Sequence, residues 1–207
     1  AGDGHASGYH TNYSQKKLDQ TIEVYANYNK SFGEHTVDLM AGYSWQHYYT
    51  ESFNEQYKAD GTEETASDYW LATPKTSKSE YFLVSFFGRA NYTYGGRYFV
   101  TATLRRDGTS RFQNNKWGLF PSVALGWNIK NEGFLKDSDK VSALKLRLSY
   151  GQTGQQDLNA GDYPTLATYK NNTNASMYIF GGQIIAPITP LGYNADLKWE
   201  TTTTWNA

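Results

Sequence analysis

Apolar and polar residues alternate with a period of two along most of this chain, the mark of strands with one oily and one wet face. Ile22, Val24, Ala26 and Tyr28 oppose Thr21, Glu23, Asn27 and Asn29. After Ser31-Phe32-Gly33-Glu34-His35, a hairpin link, the pattern resumes with Val37, Leu39, Ala41, Tyr43, Trp45 and Tyr49 against Asp38, Gly42, Ser44 and Gln46. A third run sets Phe82, Val84, Phe86, Tyr92 and Tyr94 against Ser85, Arg89, Asn91 and Thr93, and Gly95-Gly96 then turns the chain. Tyr98, Val100, Ala102 and Leu104 return. A fifth run covers 117 to 129, a sixth 144 to 150, and a seventh begins near Leu197 with Trp199, Thr201, Thr203 and Trp205.

The pattern predicts an all-β fold, an antiparallel meander of about seven long strands. Globular strands usually have ~5 to 6 residues, whereas several of these runs reach the ~9 to 11 that a tilted strand needs to cross a bilayer. The connections alternate too. They are short near 31 to 35 and 95 to 97, and long and polar near 51 to 79 and 152 to 195. Residues 131 to 143 form a medium link on the short side. Short turns at one end and long loops at the other suit an outer-membrane barrel.

Composition strengthens that reading. The chain has 18 Tyr and 6 Trp yet a negative mean hydropathy, so it has aromatic anchors but few aliphatic ones to fill a closed core. A barrel needs only alternate residues apolar, with Tyr and Trp at the lipid headgroups. Tyr48, Tyr49, Trp70, Tyr92, Tyr94, Tyr98, Trp117, Trp127 and Trp199 lie toward strand ends and are the expected girdle, with ordinary cross-strand packing of good strand formers as the alternative. A net charge of −1 without a basic cluster argues against nucleic acid as a partner. No run approaches the ~20 apolar residues of a membrane helix. The opening residues lack signal-peptide features, which would make an exported protein starting this way a mature form or a fragment.

Two stretches go further. Residues 97 to 127 include Arg105-Arg106-Asp107-Gly108-Thr109-Ser110-Arg111-Phe112 and Trp117-Gly118-Leu119-Phe120-Pro121-Ser122. They resemble the barrel signature of SusC/RagA-type TonB-dependent outer-membrane transporters. Leu144-Lys145-Leu146-Arg147-Leu148-Ser149-Tyr150-Gly151 and Leu197-Lys198-Trp199-Glu200-Thr201 resemble the strands that follow in that family, in the same order. The resemblance implies a segment of a 22-stranded barrel in the bacterial outer membrane, importing oligosaccharides or peptides. It also implies a SusD-like lipoprotein partner and energy from TonB through a plug. No plug domain or TonB box is recognisable in residues 1 to 207, and about seven strands cannot close such a barrel. Residues 1 to 207 are therefore read as a partial barrel domain.

In that frame Val84, Phe86, Val100, Leu104, Val123 and Leu125 should face outer-membrane lipid, and Arg89, Arg105, Lys145 and Arg147 the lumen. Arg105, Arg106, Asp107, Gly108 and Arg111 are expected where strand meets loop, as a self-paired turn, with Phe112, Trp117 and Pro121 completing the family signature. Contacts to a glycan or peptide solute, or to a lid, are expected from Tyr57, Tyr69 and Trp70 in one long loop and Tyr163, Tyr169 and Tyr178 in the other. There aromatic faces sit beside Asn, Asp and Thr. Self-packing of the loops explains the same residues. With no Cys, only four scattered His and no nucleophile or phosphate-loop motif, neither a metal, a cofactor nor an enzymatic activity is expected. The alternative is a soluble all-β carbohydrate-binding module. Two packed sheets would then bury Phe86, Val100 and Leu125.

Overall fold

A computed structural model describes residues 9–58, 76–158, 162–171, 178–185, 188–190 and 192–207. Seven strands form one sheet in sequence order: β1 (Tyr9–Phe32), β2 (His35–Lys58), β3 (Thr76–Tyr94), β4 (Tyr98–Thr109), β5 (Trp117–Asn128), β6 (Lys145–Gln155) and β11 (Glu200–Asn206). Four short strands make two small ladders, β7 (Tyr169–Asn171) with β10 (Ile188–Pro190) and β8 (Tyr178–Phe180) with β9 (Gln183–Ile185). The meander expected from alternation is present, and no helix among the described residues is long and apolar enough to cross a membrane.

Three boundaries differ from expectation. β2 continues to Lys58 and β3 starts at Thr76, so both ends of the link expected over 51 to 79 are strand. Both stretches lack clean alternation of apolar with polar residues, which hid them. The Arg105–Gly108 segment lies inside β4 rather than in a turn, paired with Phe87 to Val84 on one side and Phe120 to Trp117 on the other. β6 runs on to Gln155 through Gly151 and Gly154, residues that signal a loop when read locally.

By contact the chain divides into two compact units. One comprises Ala1–Gln20, His47–Tyr81 and Leu166–Asn194; among its described residues His47 contacts Glu80 (2.8 Å) and Gln20 (3.0 Å), Lys78 pairs with Glu51 (3.1 Å), and Tyr48 stacks on Tyr81. The other, Thr21–Gln46, Phe82–Thr165 and Ala195–Ala207, holds the signature residues. In it, Gly95 and Gly96 both take positive φ (57° and 62°), and Arg97 N–H donates to the Tyr94 carbonyl (3.0 Å). This is the two-glycine hairpin turn that matches the twist of the strands it joins. The β5–β6 ladder begins at Ser122, immediately after Pro121, a residue with no N–H to offer a partner.

The sheet of this unit has two distinct faces. Register aligns Phe86, Val100, Leu104, Leu125, Val123 and Leu148 on one of them. Phe86 is 51%, Leu104 52% and Leu125 48% exposed, and among the described residues only Phe112, Phe120 and Trp199 are buried hydrophobics. No second sheet covers this band among the described residues, which removes the sandwich alternative.

Candidate functional site: the inner wall and its two rims

Opposite the apolar band, the same registers build a polar wall. Asn29 donates to Asp38 (3.4 Å), Asn91 donates to Asp38 (3.2 Å) and Thr101 donates to Asn91 (2.9 Å), a hydrogen-bonded line across β1 to β4. Arg105 donates from Nε to both Asp107 oxygens (2.8 and 2.9 Å) and from a terminal nitrogen to Ser85 (3.1 Å). Its charge is therefore matched by a carboxylate two residues on, on the same strand face. Arg89, Lys145 and Arg147 share the wall with no carboxylate partner among the described residues. Phe87, Phe99 and Phe120 also fall on this side, where alternation predicts polar residues. Each ring occupies space left by glycine: Phe87 at Gly42, Phe99 at Gly126, Phe120 at Gly118.

At the loop end of the sheet the signature residues lock connections together. Arg111 is buried, donates from Nε to the Asp162 carbonyl (3.0 Å) and lies 3.6 Å from the Asp157 carboxylate. Phe112 is fully buried, with Trp199 edge-on to both Phe112 and Phe120. Trp199 Nε1 donates to the Lys116 carbonyl (3.1 Å), so this Trp belongs to the packed cluster and not to the girdle expected from sequence. Thr165, also buried, accepts from the Gln113 N–H and donates to the Arg111 carbonyl (both 3.1 Å). Arg106 instead stacks over the outward Trp117 ring (4.9 Å), under which Gly108 leaves room. Arg105 and Asp107 thus pair with each other as the expected self-pairing has it, but within β4 and not in a turn, while Arg106 and Arg111 go to other partners.

At the turn end an aromatic rim is built around one carboxylate. Glu132 accepts from Tyr98 Oη (2.6 Å), Trp127 Nε1 (2.9 Å) and Arg97 (3.3 Å). Chiefly the Tyr98 and then the Trp127 hydrogen bond hold the Glu132 carboxyl below its ordinary range. Tyr98 stacks on Trp127 and Tyr94, and His35 meets Phe32, Tyr92 and Tyr94. Lys130 closes the medium link by donating to the carbonyls of Leu135, Lys136 and Ser138 (3.0, 3.1 and 2.7 Å). The other aromatic rim comprises Trp45, Phe82, Tyr43, Phe86 and Trp117. On β5 the two rims are marked by Trp117 and Trp127, ten residues apart, or about 34 Å along the strand. At a ~40° tilt that is roughly 26 Å of height, the thickness of a barrel's apolar band.

Of the expected solute or lid contacts, Tyr163 is half-buried with its hydroxyl 3.4 Å from Ser110 Oγ. Tyr169 lies exposed on β7. Tyr57 lies in β2 and Tyr178 in β8, with side chains outside the described residues. Tyr69 and Trp70 are outside the described residues altogether. Sequence reasoning missed Glu132, Lys130 and Thr165. Only Glu132, a lone acid just past the Trp127 strand end, leaves a trace in the sequence.

Comparison with known proteins agrees with this architecture. A family model described as TonB dependent receptor-like, beta-barrel matches residues 2–207. TonB-dependent receptor SusC of Bacteroides thetaiotaomicron is 41% identical over 201 residues, covering 97% of this chain and 20% of that protein. TonB-dependent receptor P3 of Formosa agariphila is 37% identical over 207 residues, covering 96% and 20%. A solved structure of the RagAB peptide transporter superposes with a TM-score of 0.76 at 25% identity, over 98% of this chain and 22% of that one. The chain spans about a fifth of the length of these curated relatives. Its two-faced sheet and paired aromatic rims are those of an outer-membrane strand array, and the chain belongs to the TonB-dependent receptor-like β-barrel family.

Proposed function

We propose that this chain is part of the barrel wall of a TonB-dependent importer of oligosaccharides or peptides that works with a SusD-like lipoprotein. The observation that carries the reading is the division of one sheet into an uncovered apolar band between aromatic rims and a polar, partly cationic inner wall. A wall of that kind separates lipid from a hydrated passage. Its polar side chains, such as Asp38, Asn91, Thr101 and Arg105, form a hydrogen-bonding surface suited to lining such a passage. TonB coupling belongs, in this reading, to a plug outside residues 1 to 207.

The likeness to a peptide transporter supports the peptide class, and the oligosaccharide class rests on the SusC/RagA-type resemblance of the sequence. Deleting the gene for the whole protein, then growing cells on single glycans or peptide mixtures, tests the proposal. The expected result is a growth or uptake defect confined to one solute class, with a lipoprotein co-purifying with the affinity-tagged full-length barrel. Normal uptake of every solute together with purification of the barrel alone would overturn it.

A further inference from the structure

The outward positions that register defines on β3, β4 and β5 carry no charge, with one exception. Alternation puts Arg106 on the lipid-facing side, two residues beyond Leu104, in a row that reads Phe86, Arg106, Leu119. The next row toward the loop end sets Trp117 opposite Gly108, and the Arg106 guanidinium lies 4.9 Å from the centre of the Trp117 ring. The side chain therefore snorkels. Its stem crosses the edge of the apolar band and its charged head reaches the aromatic rim, the level of the lipid headgroups. Over the indole the guanidinium keeps its N–H groups unspent, for Arg106 makes no hydrogen bond or ion pair to any described residue.

From this we infer that Arg106 and Trp117 form a seat for the phosphate of an outer-leaflet membrane lipid. The seat depends on the outer-membrane placement alone and is the same whichever solute crosses the wall. A lone guanidinium on the lipid face is costly at the bilayer midplane and tolerated near the interface, where it meets lipid phosphates. Register leaves no Asp or Glu on the outward positions of β3, β4 or β5 to compete for it. Asp107, the nearest acid in sequence, lies on the wet face and is taken by Arg105 (2.8 Å). A guanidinium binds a phosphate through two parallel hydrogen bonds. Phe86, Leu104 and Leu119, each about half exposed, surround the stem and offer a surface to the acyl chains of the same lipid. One lipid is thus met at both ends, phosphate on the cation and chains on the band below it. The surroundings of Arg106 in the sheet are complete, because β3 and β5 flank β4 on its two sides, and a plug would lie across the wall from it. Long loops mark the outer end of such barrels, which places the seat in the outer leaflet.

The test uses the full-length protein in a neutral detergent, titrated with monophosphoryl lipid A and, separately, with the same lipid after enzymatic removal of its phosphate. Native mass spectrometry counts the lipid bound. Wild type should hold its first lipid about tenfold more tightly when the phosphate is present, the order expected for a bidentate charge-assisted contact. Arg106→Gln should erase that preference while binding the dephosphorylated lipid within about twofold of wild type, and Arg106→Lys, which keeps the charge but not the planar fork, should retain a preference of about threefold. An excess of inorganic phosphate should leave the lipid in place. A wild type with no preference would overturn the inference, as would a preference that survives intact in Arg106→Gln. Equal loss of both lipids in that variant would also overturn it and assign Arg106 to holding Trp117 in the rim. Displacement of the lipid by inorganic phosphate would do so too, leaving a site for a free anion.

Discussion

A Cβ on Gly154 would overlap the Phe120 ring, and one on Gly118 would meet both Phe120 and Trp199. Packing at the loop end therefore depends on two positions keeping no side chain. Gly154→Ala is expected to destabilise the barrel by about 1–3 kcal/mol, because the ring is held by Trp199 and has nowhere to move. A lower unfolding midpoint in detergent checks this, and the loss should shrink when Phe120→Leu is introduced alongside. Such pairs mark the limit of what alternation reveals. A phenylalanine on the wet side of a strand breaks the period-two pattern, and Gly154, which accommodates Phe120, sits on another strand, at a distance that only register defines. Phe86, Leu104 and Leu125 were legible because each obeys the alternation that a lipid-facing residue must obey.

Among elements, the hairpins were legible and the medium link was not. Gly95-Gly96 carries its own turn chemistry, whereas the link at 129 to 138 is shaped by Lys130 reaching three carbonyls and by Glu132 gathering Tyr98, Trp127 and Arg97, contacts up to 35 residues apart. Because the folded environment lowers the Glu132 carboxyl, the stabilisation it gives is fully present above the ordinary carboxylate range. It is lost as pH falls through the depressed value. Hydrogen exchange at residues 129 to 138 should accordingly speed up in acid once the chemical exchange rate is corrected for pH. Glu132→Gln should show the faster exchange already at neutral pH, with little further acid response. A variant that tracks the wild type at all pH values would remove Glu132 from the account. The Arg111 lock was half legible. Its residues stood out as a motif, but their partners Asp157, Asp162 and Thr165 sit in a polar stretch whose sequence gives no sign of them.

For the molecule, the two faces of the sheet imply unequal tolerance at neighbouring positions. Val123 lies near the middle of the apolar band and Ala124 on the wet side, one residue apart. Val123→Arg should cost about 2–4 kcal/mol in a bilayer, and Ala124→Arg much less, since its charge stays hydrated. Unfolding of the full-length barrel from lipid vesicles by denaturant would measure both. Equal costs would contradict the assignment of faces. The fold class was written along most of the chain, because the long strands repeat the same two-residue rule over much of their length. The seat at Arg106 was not, since Trp117 comes beside it only through the pairing of β4 with β5.

The two tryptophans of β5 also act as a ruler. A membrane helix adapts to bilayers of different thickness by changing its tilt, but β5 is laddered to β4 along its length and to β6 from Ser122 onward and cannot change its tilt alone. The distance from Trp117 to Trp127 is thus a property of the sheet, and the surrounding lipid must adapt to it. In a bilayer thicker than about 26 Å the first shell of lipids would be compressed around the wall. Membrane thickness then becomes a selective solvent condition for this sheet, as temperature or salt is for a water-soluble one.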